Sequence, residues 1–296
     1  MKSYRRYLLH NQNHKFKTSP FWRLLPAGMK KRWWLFRLFD LLVYYMPLVK
    51  SKNGLAVVRM DGIGDMVLFR NSLENYEEVF GVLKRDIIVI GCNSWSDIAK
   101  SFFKGYRFFG INEHAYAKRP LYRFYINCCV RFIAPEIVVL DSYFRRPLMS
   151  DSLVWILRGS RSIVSYPYIS KETRAEFTYY LSLVTDIVDT GPYPTHELIR
   201  HANFISKIGG KKYPPKMPKL SWRSTLHKSV NDGCSYVLLS PGSNSHGRRW
   251  PLHDFMEIAG KIADLGYKIV VVGMDDLDNS SEAFCKVDSK IINLIG

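Results

Sequence analysis

The chain has 296 residues, of which 47% are hydrophobic and 23% are charged. This composition is typical of a globular protein and excludes an intrinsically disordered chain, and the length suits one large domain or two ordinary ones. The formal net charge of +17 favours partners rich in negative charge, such as nucleic acid, an anionic membrane or a phosphorylated small molecule.

The positive charge is concentrated at the N terminus. Residues 1–50 contain eleven lysine and arginine side chains and one acid, Asp40, so this part contributes +10 of the +17. The remaining residues share +7, and the folded body therefore needs only a modest anion site.

The five cysteines contain no CxxC pair and no spacing that suits zinc. They are best interpreted as small hydrophobic core residues. Because disulfides are rare in reducing compartments, this usage indicates a cytoplasmic protein.

Residues 1–52 are predicted to form a basic, aromatic-rich N-terminal extension. Its apolar run from Leu35 to Val49 is 15 residues long and is interrupted by Arg37 and Asp40, so it is too short to span a bilayer. One hypothesis is a helix at the surface of the inner membrane, which would make the protein peripheral on that membrane. Its lipid-facing residues would be Trp33, Trp34, Phe36 and Phe39, with Lys30, Lys31 and Arg32 on anionic lipid. The other hypothesis is a helix that packs on the folded body.

From Asn53 onward, short apolar runs alternate with helical stretches. The runs predict buried strands at 55–60, 87–90, 137–140 and 163–165. Helices are predicted near 65–80, 95–104, 119–132 and 148–158. Because apolar strands that alternate with helices form parallel sheets covered on both faces, residues 53–208 are predicted to form a Rossmann-like lobe.

A second lobe is predicted after a stretch rich in Gly, Pro and Lys. Residues 209–233 are predicted to be a linker, and residues 234–296 a second, incomplete Rossmann-like lobe. The predicted elements of this lobe are strands at 236–240, 268–272 and 291–294 and a helix near 252–265. Two doubly wound lobes would face a cleft that holds a ligand beyond the carboxyl ends of their strands.

The first candidate site is the loop from Arg59 to Asp65 (RMDGIGD), which joins a strand directly to a helix. Gly62 and Gly64 allow a tight turn and the close approach of a ligand. The third glycine of a dinucleotide fingerprint would fall at Val67, so a nicotinamide-dependent dehydrogenase is disfavoured. Asp65 is interpreted either as the N-cap of the helix or as a general base that deprotonates a hydroxyl, and the two roles are compatible.

The second candidate site is the loop of residues 240–251 (SPGSNSHGRRWP), which again joins a strand to a helix. Gly242 and Ser243 offer hydrogen-bond donors, and Arg248 and Arg249 carry charges suited to phosphate oxygens. The N terminus of the following helix also attracts anions. The loop predicts either a diphosphate-binding site or a basic surface loop.

A third feature, Asp275 and Asp276, follows the strand that ends near Gly273. Paired carboxylates at this position could accept hydrogen bonds from a ribose or contribute to a metal site. The sequence offers no further set of metal ligands, so a ribose contact or simple solvation is favoured. No metal and no cofactor are expected.

With these loops, the chain resembles the lipopolysaccharide heptosyltransferase family, glycosyltransferase family 9. Members begin with a strand that ends in Arg-x-x-x-x-Gly-Asp, as the segment from Arg59 to Asp65 does. They open the second lobe with Pro-Gly-(Ala/Ser), a polar stretch and a basic residue before Trp-Pro, and residues 241–251 match this pattern. The resemblance covers roughly residues 54–296.

The resemblance implies a GT-B fold, in which residues 53–208 form the acceptor lobe and residues 234–296 form the nucleotide-sugar lobe. It also implies an inverting mechanism without a required metal, and an ADP-activated heptose as donor. It assigns Asp65 as the catalytic base, and Ser243 and Arg249 as contacts of the donor phosphates. The family commonly has lysine at the position of Arg249, and arginine keeps the charge. Members also carry a later Asp-(Ser/Thr)-Gly-x-x-His segment that closes on the donor, and its absence here predicts a second lobe that stops short.

Three functions are therefore weighed. The first is an enzyme that moves a heptose-type sugar from an ADP-activated donor to a lipopolysaccharide-core or related glycolipid acceptor. The second is a non-catalytic, membrane-associated module that binds nucleotide sugars. The third, nucleic-acid binding through the basic arm, depends on charge and aromatic residues alone and is not expected.

Overall fold

The computed structural model describes residues 31–47, 52–218, 235–243, 246–273 and 291–295. The chain divides into two compact units, residues 1–220 and residues 221–296. Each unit contains a parallel β-sheet with helices, which confirms the predicted α/β class.

The first unit is built on a six-stranded parallel sheet with the order β3-β2-β1-β4-β5-β6. Its strands are β1 (Leu55–Arg59), β2 (Ile87–Cys92), β3 (Arg107–Ile111), β4 (Ile137–Leu140), β5 (Arg161–Ser165) and β6 (Asp186–Val188). This is the doubly wound order, in which ligands bind beyond the carboxyl ends of the strands where the strand order reverses. Here the reversal lies between β1 and β4, so the loops that follow these two strands are neighbours.

Nine described helices belong to the first unit. They are α1 (Lys31–Tyr45), α2 (Ile63–Leu73), α3 (Tyr76–Phe80), α4 (Ser96–Phe102), α5 (Glu113–Lys118), α6 (Pro120–Arg131), α7 (Ser150–Leu157), α8 (Arg174–Leu181) and α9 (Glu197–Gly209). Within the described parts of the chain, no helix has both the length and the hydropathy needed to cross a bilayer.

Both faces of the first sheet are buried. β1 and β2 are buried at every residue, and side chains of neighbouring residues enter two different hydrophobic clusters. Val57 and Val89 belong to one cluster, whereas Val58 and Ile90 belong to the other, because side chains alternate between the faces along a strand. A strand with two buried faces has no polar face, which explains why apolar runs predicted these strands.

The sequence prediction missed the two edge strands, β3 and β6, and three helices, α5, α8 and α9. β3 is largely half-exposed, and β6 has only three residues, so neither contains a continuous apolar run. After α9 the chain stays on the first unit beyond residue 208, because Tyr213 is buried in the same cluster as Phe69. The predicted linker, residues 209–233, is described only as far as residue 218.

Of the two hypotheses for the N-terminal extension, the described residues support the helix that packs on the body. In α1, Phe36 and Val43 are buried, and Phe39 makes an edge-to-face contact with Phe124 at 5.8 Å. The prediction that Phe36 and Phe39 face lipid is therefore wrong, because they lie on the side of α1 that contacts the body. The side chains of Lys30, Lys31, Arg32, Trp33 and Trp34 lie outside the described residues.

A buried ion pair joins α1 to α6. Arg123 Nε and Nη2 donate to the two carboxylate oxygens of Asp40 at 2.8 and 2.7 Å, and Asn127 Nδ2 donates to the same carboxylate at 2.6 Å. Both charged side chains are almost completely buried. Burial alone would lower the pKa of Arg123, but Asp40, together with Tyr116 and Tyr180, outweighs burial and raises the pKa above its ordinary value. The only acid of residues 1–50 is thus part of the core.

The second unit contains a three-stranded parallel sheet with the order β7-β8-β9. Its described elements are β7 (Tyr236–Leu239), α10 (Leu252–Asp264), β8 (Lys268–Gly273) and β9 (Ile291–Ile295), which confirms the predicted strands and helix. Among the described residues of this unit, the buried members of the hydrophobic core are Ala259, Ala263, Ile269 and Val271.

Candidate active site

Asp65 lies in the first turn of α2, directly after the central strand β1. The N-cap of α2 is Gly62, so the structure does not place Asp65 in the capping position. The Asp65 side chain is exposed, and among the described residues its carboxylate has no hydrogen-bond partner. Gly62 and Gly64 are also exposed, and nothing lies within 4 Å of a Cβ built on Gly64. A ligand can therefore approach both the carboxylate and the backbone of this loop.

Arg59, the last residue of β1, is buried and fixes the Asp65 loop through several contacts. Its side chain is 1% exposed and forms an ion pair with Asp61 at 2.6 Å. It also donates to the backbone oxygen of Asp65 at 3.3 Å and to that of Asp141, which follows β4. Its guanidinium group lies over the ring of Phe69, 4.4 Å from the centroid. One buried cation therefore connects the ends of two adjacent strands to the first turn of α2.

Asp61 is a second carboxylate of this loop that the sequence interpretation did not single out. Its side chain is 7% exposed, and it accepts a hydrogen bond from Ser142 Oγ at 3.0 Å. Burial raises the pKa of Asp61, Arg59 opposes this rise, and the nearby Asp65 adds to it. Its other oxygen, Oδ1, is buried and has no hydrogen-bond partner in the described part of the chain. The sequence signal that could have identified Asp61 was its position two residues after Arg59, the cation with which it pairs.

A buried histidine–aspartate pair lies next to Arg59. His201 of α9 and Asp141 are joined by Nδ1 and Oδ2 at 2.9 Å, and both side chains are almost fully buried. Tyr76 donates to the same Asp141 oxygen at 3.5 Å. The pair is separated by 60 residues, so no sequence pattern connects its members. It fastens α9 to the end of β4, where Arg59 also binds.

The second candidate loop lies in the other unit, between β7 and α10. Arg249 Nε donates to the backbone oxygen of Ser243 at 2.9 Å, which closes the loop on itself. Gly242 and Arg248 are exposed, and Ser243 and Arg249 are partly exposed. The structure therefore joins two of these predicted residues, Ser243 and Arg249, in the loop before α10.

Pro251 is the N-cap of α10, and the ring of Trp250 packs edge-to-face on Phe255 at 4.9 Å. The first turn of this 13-residue helix follows the loop directly. Since the free N–H groups and the dipole at a helix N terminus attract anions, the loop and the helix start can act on the same ligand. Asp275 and Asp276 lie outside the described residues, and their predicted contact with a ribose stays a prediction.

A scan against protein-family profiles and a search of curated proteins found no match. A search of solved structures found similar folds. The glycosyl transferase family 9 protein of Veillonella parvula DSM 2008 is 15% identical with a TM-score of 0.63, over 84% of this chain and 72% of that chain. The ADP-heptose lps heptosyltransferase II of E. coli is 14% identical with a TM-score of 0.57, over 82% of this chain and 72% of that chain.

A third similar structure is the E. coli heptosyltransferase WaaC with ADP-2-deoxy-2-fluoro heptose. It is 13% identical with a TM-score of 0.61, and the match covers 81% of this chain and 75% of that chain. At such identities the likeness establishes the fold and leaves the chemistry to the side chains. The chain therefore has the α/β, GT-B-type fold of these glycosyltransferases, as its two loops predicted.

Proposed function

We propose that the protein is an inverting glycosyltransferase that moves a heptose-type sugar from an ADP-activated donor to a lipopolysaccharide-core or related glycolipid acceptor. One observation carries the proposal: an exposed carboxylate, Asp65, stands beyond the central strand of a fold shared with family 9 glycosyltransferases. This is the edge of a doubly wound sheet where ligands bind.

Asp65 acts in this proposal as the general base. The acceptor hydroxyl oxygen attacks C1 of the donor sugar, and the bond between C1 and the β-phosphate oxygen breaks. The bonding electrons leave with ADP, and the hydroxyl proton passes to Asp65. Arg59 supports this role by fixing the backbone of Asp65, because a catalytic group must be held close to its reacting geometry.

The loop before α10 binds the leaving diphosphate in this proposal. Arg248 and Arg249 supply charge, Gly242 and Ser243 supply donors, and the first turn of α10 supplies free N–H groups. These groups stabilise the negative charge that develops on ADP, so the transfer is proposed to need no metal and no cofactor. Asp275 and Asp276 are proposed to contact the ribose.

Calorimetric titration with ADP tests the diphosphate site. We expect Arg249→Ala to weaken ADP binding about ten- to a hundredfold, since one hydrogen bond to a charged group contributes about 1.5–3 kcal/mol. Lys261→Ala is the matched control, because Lys261 is an exposed cation of the same unit that pairs with Glu257 on α10. Equal affinity of the two variants would contradict the assignment of Arg249.

Adding a glycan acceptor distinguishes the proposed transferase from the alternative, a non-catalytic module that binds nucleotide sugars. With ADP-heptose and a deacylated lipopolysaccharide-core oligosaccharide, an enzyme releases ADP in step with a lengthened glycan. A non-catalytic module binds the donor with the same affinity but lengthens no glycan, and this result would favour the alternative function. A folded protein without affinity for ADP or ADP-heptose would refute both.

We also propose that the protein works on the cytoplasmic face of an anionic inner membrane. On α1, the side chains that face away from the body are apolar and more than half exposed: Leu35, Leu38, Leu42 and Tyr45. α1 packs on α6, where Leu121, Tyr125 and the following Phe132 are similarly exposed. These seven residues are called the apolar helix surface. Arg37 is buried in the body, and the other ten basic side chains of residues 1–50 supply the charge that anionic lipid attracts.

Vesicle sedimentation tests this surface. We expect the double change Leu38→Glu and Leu42→Glu to lower binding to vesicles of phosphatidylcholine and phosphatidylglycerol about tenfold or more. The two leucines would be buried in the lipid, whereas the carboxylates that replace them would repel anionic lipid. Leu83→Glu is the control, since Leu83 is a similarly exposed leucine away from this surface. Deletion of residues 1–50 is a poorer test, because it also removes Asp40 from the core. Unchanged sedimentation of the double variant would overturn the proposal.

A further inference from the structure

Three exposed aromatic rings meet beyond the carboxyl ends of β4, β5 and β6. Phe144, Tyr168 and Tyr193 are 53%, 47% and 65% exposed. Their ring centroids are 5.4 Å apart for Phe144 and Tyr168, 6.1 Å for Phe144 and Tyr193, and 6.2 Å for Tyr168 and Tyr193. Each ring therefore contacts the other two. We call these three residues the aromatic platform.

A buried arginine holds the loop that carries Tyr193. Arg200 of α9 is 1% exposed and donates to the backbone oxygens of Gly191, Pro192 and Thr195 at 2.8, 2.8 and 3.1 Å. Its guanidinium group also lies 3.5 Å from the ring centroid of Tyr143, which contacts Phe144 at 4.9 Å. The Tyr193 side chain is thus exposed, while Arg200 fixes the backbone of its loop.

A second buried arginine holds the loop that carries Phe144. Arg145 forms a bidentate ion pair with Asp151, with both distances 2.9 Å, and donates to the backbone oxygen of Ser165 at 2.9 Å. The backbone N–H of Tyr168 in turn donates to the oxygen of Tyr143 at 2.9 Å. The loops after β4 and β5 are therefore joined to each other. All three rings stand on preorganised backbone, which is typical of a binding surface.

The platform belongs to the same edge of the sheet as Asp65. β4 is the neighbour of β1, and Ser142, two residues before Phe144, donates to Asp61 in the Asp65 loop. His201, the neighbour of Arg200, binds Asp141 beside Arg59. A molecule that lies on the three rings is therefore next to the loop that carries the proposed base.

We propose that the aromatic platform is the acceptor subsite and that a pyranose ring of the acceptor glycan lies on it. This inference rests on the proposed transferase function. A pyranose presents one apolar face of C–H groups and a rim of hydroxyls, and exposed aromatic rings bind such a face through dispersion and weak C–H contacts. The Tyr168 and Tyr193 hydroxyls supply hydrogen-bond partners for the rim.

The test measures binding of the acceptor glycan separately from binding of the nucleotide-sugar donor. Saturation-transfer NMR with a deacylated lipopolysaccharide-core oligosaccharide, without nucleotide, should detect contact of the glycan with the wild-type protein. We expect Tyr168→Ala and Tyr193→Ala each to weaken this binding, and to raise the acceptor KM, about tenfold, with ADP affinity changed less than about twofold. Tyr193→Phe should retain most of the binding, because it keeps the ring. Tyr267→Ala, an exposed tyrosine of the second unit, is the matched control.

The outcomes separate this inference from the proposed function. Glycan binding within about twofold of wild type in both alanine variants overturns the platform, even if transfer is observed. If the wild-type protein binds the glycan through the platform but transfers no sugar, the subsite stands and the transferase function fails. Because all three platform side chains are exposed, the variants should fold, and unchanged thermal unfolding confirms this.

Discussion

Replacing Asp65 with asparagine should lower the rate of sugar transfer about 10²–10⁴-fold, the usual contribution of a general base. Asparagine has almost the same shape as aspartate but cannot take the proton of the acceptor hydroxyl. Since the Asp65 side chain is exposed and Arg59 binds only its backbone, we expect no loss of folding stability. The measurement is single-turnover release of ADP from ADP-heptose in the presence of core oligosaccharide, together with ADP affinity, which should stay unchanged.

Asp97→Asn is the control for this change. Asp97 is also an exposed aspartate in the first turn of a helix, α4, that follows a strand of the same sheet. Its replacement removes the same charge but leaves the β1 loop intact. If both variants lose transfer equally, the effect comes from net charge, and if Asp65→Asn keeps full activity, Asp65 is not the base.

Breaking the pair between Asp40 and Arg123 should have the largest effect on folding. We expect Asp40→Ala to lower the free energy of unfolding by about 3–5 kcal/mol, because Arg123 would stay buried without its counter-ion. Urea denaturation followed by circular dichroism measures the change as a shift of the midpoint. The result would also show that α1 is a structural part of the first unit.

Asp186→Ala provides the comparison. Asp186 binds Arg161 at 2.9 Å, close to the 2.7 Å of the Asp40 pair, but both side chains are partly exposed, so its loss should cost about 1 kcal/mol or less. Replacing both members of the buried pair, as Asp40→Leu with Arg123→Met, should recover much of the lost stability, because no charge is then left unpaired. Equal effects of the two single alanine changes would mean that the Asp40 pair is not a buried, desolvated one.

The two loops of the candidate site could be found from the sequence because their chemistry is local. The Asp65 loop and the loop before α10 each join an apolar strand to a helix within about a dozen residues, a spacing at which turn and helix-start signals can be read directly. The central strands were predicted for a related reason, since burial on both faces leaves a continuous apolar run. The edge strand β3 has no such run, and its structure depends on pairing with β2.

The contacts that hold the Asp65 loop in place depend on tertiary structure alone. Arg59 binds the backbone of Asp141, and Asp141 binds His201, across separations of 82 and 60 residues. No local pattern encodes such contacts, because they exist only once parallel strands bring their carboxyl ends to one edge.

The orientation of α1 and the aromatic platform were decided in the same way. The aromatic residues of α1 suggested lipid contact, but packing against α6 buries Phe36 and leaves the leucines outside. The platform takes its rings from three separate loops. Sequence therefore determined the central strands, the turns and the reactive groups within them, since these depend on neighbouring residues. Which faces are covered and which distant side chains meet depended on the order of strands in the sheet.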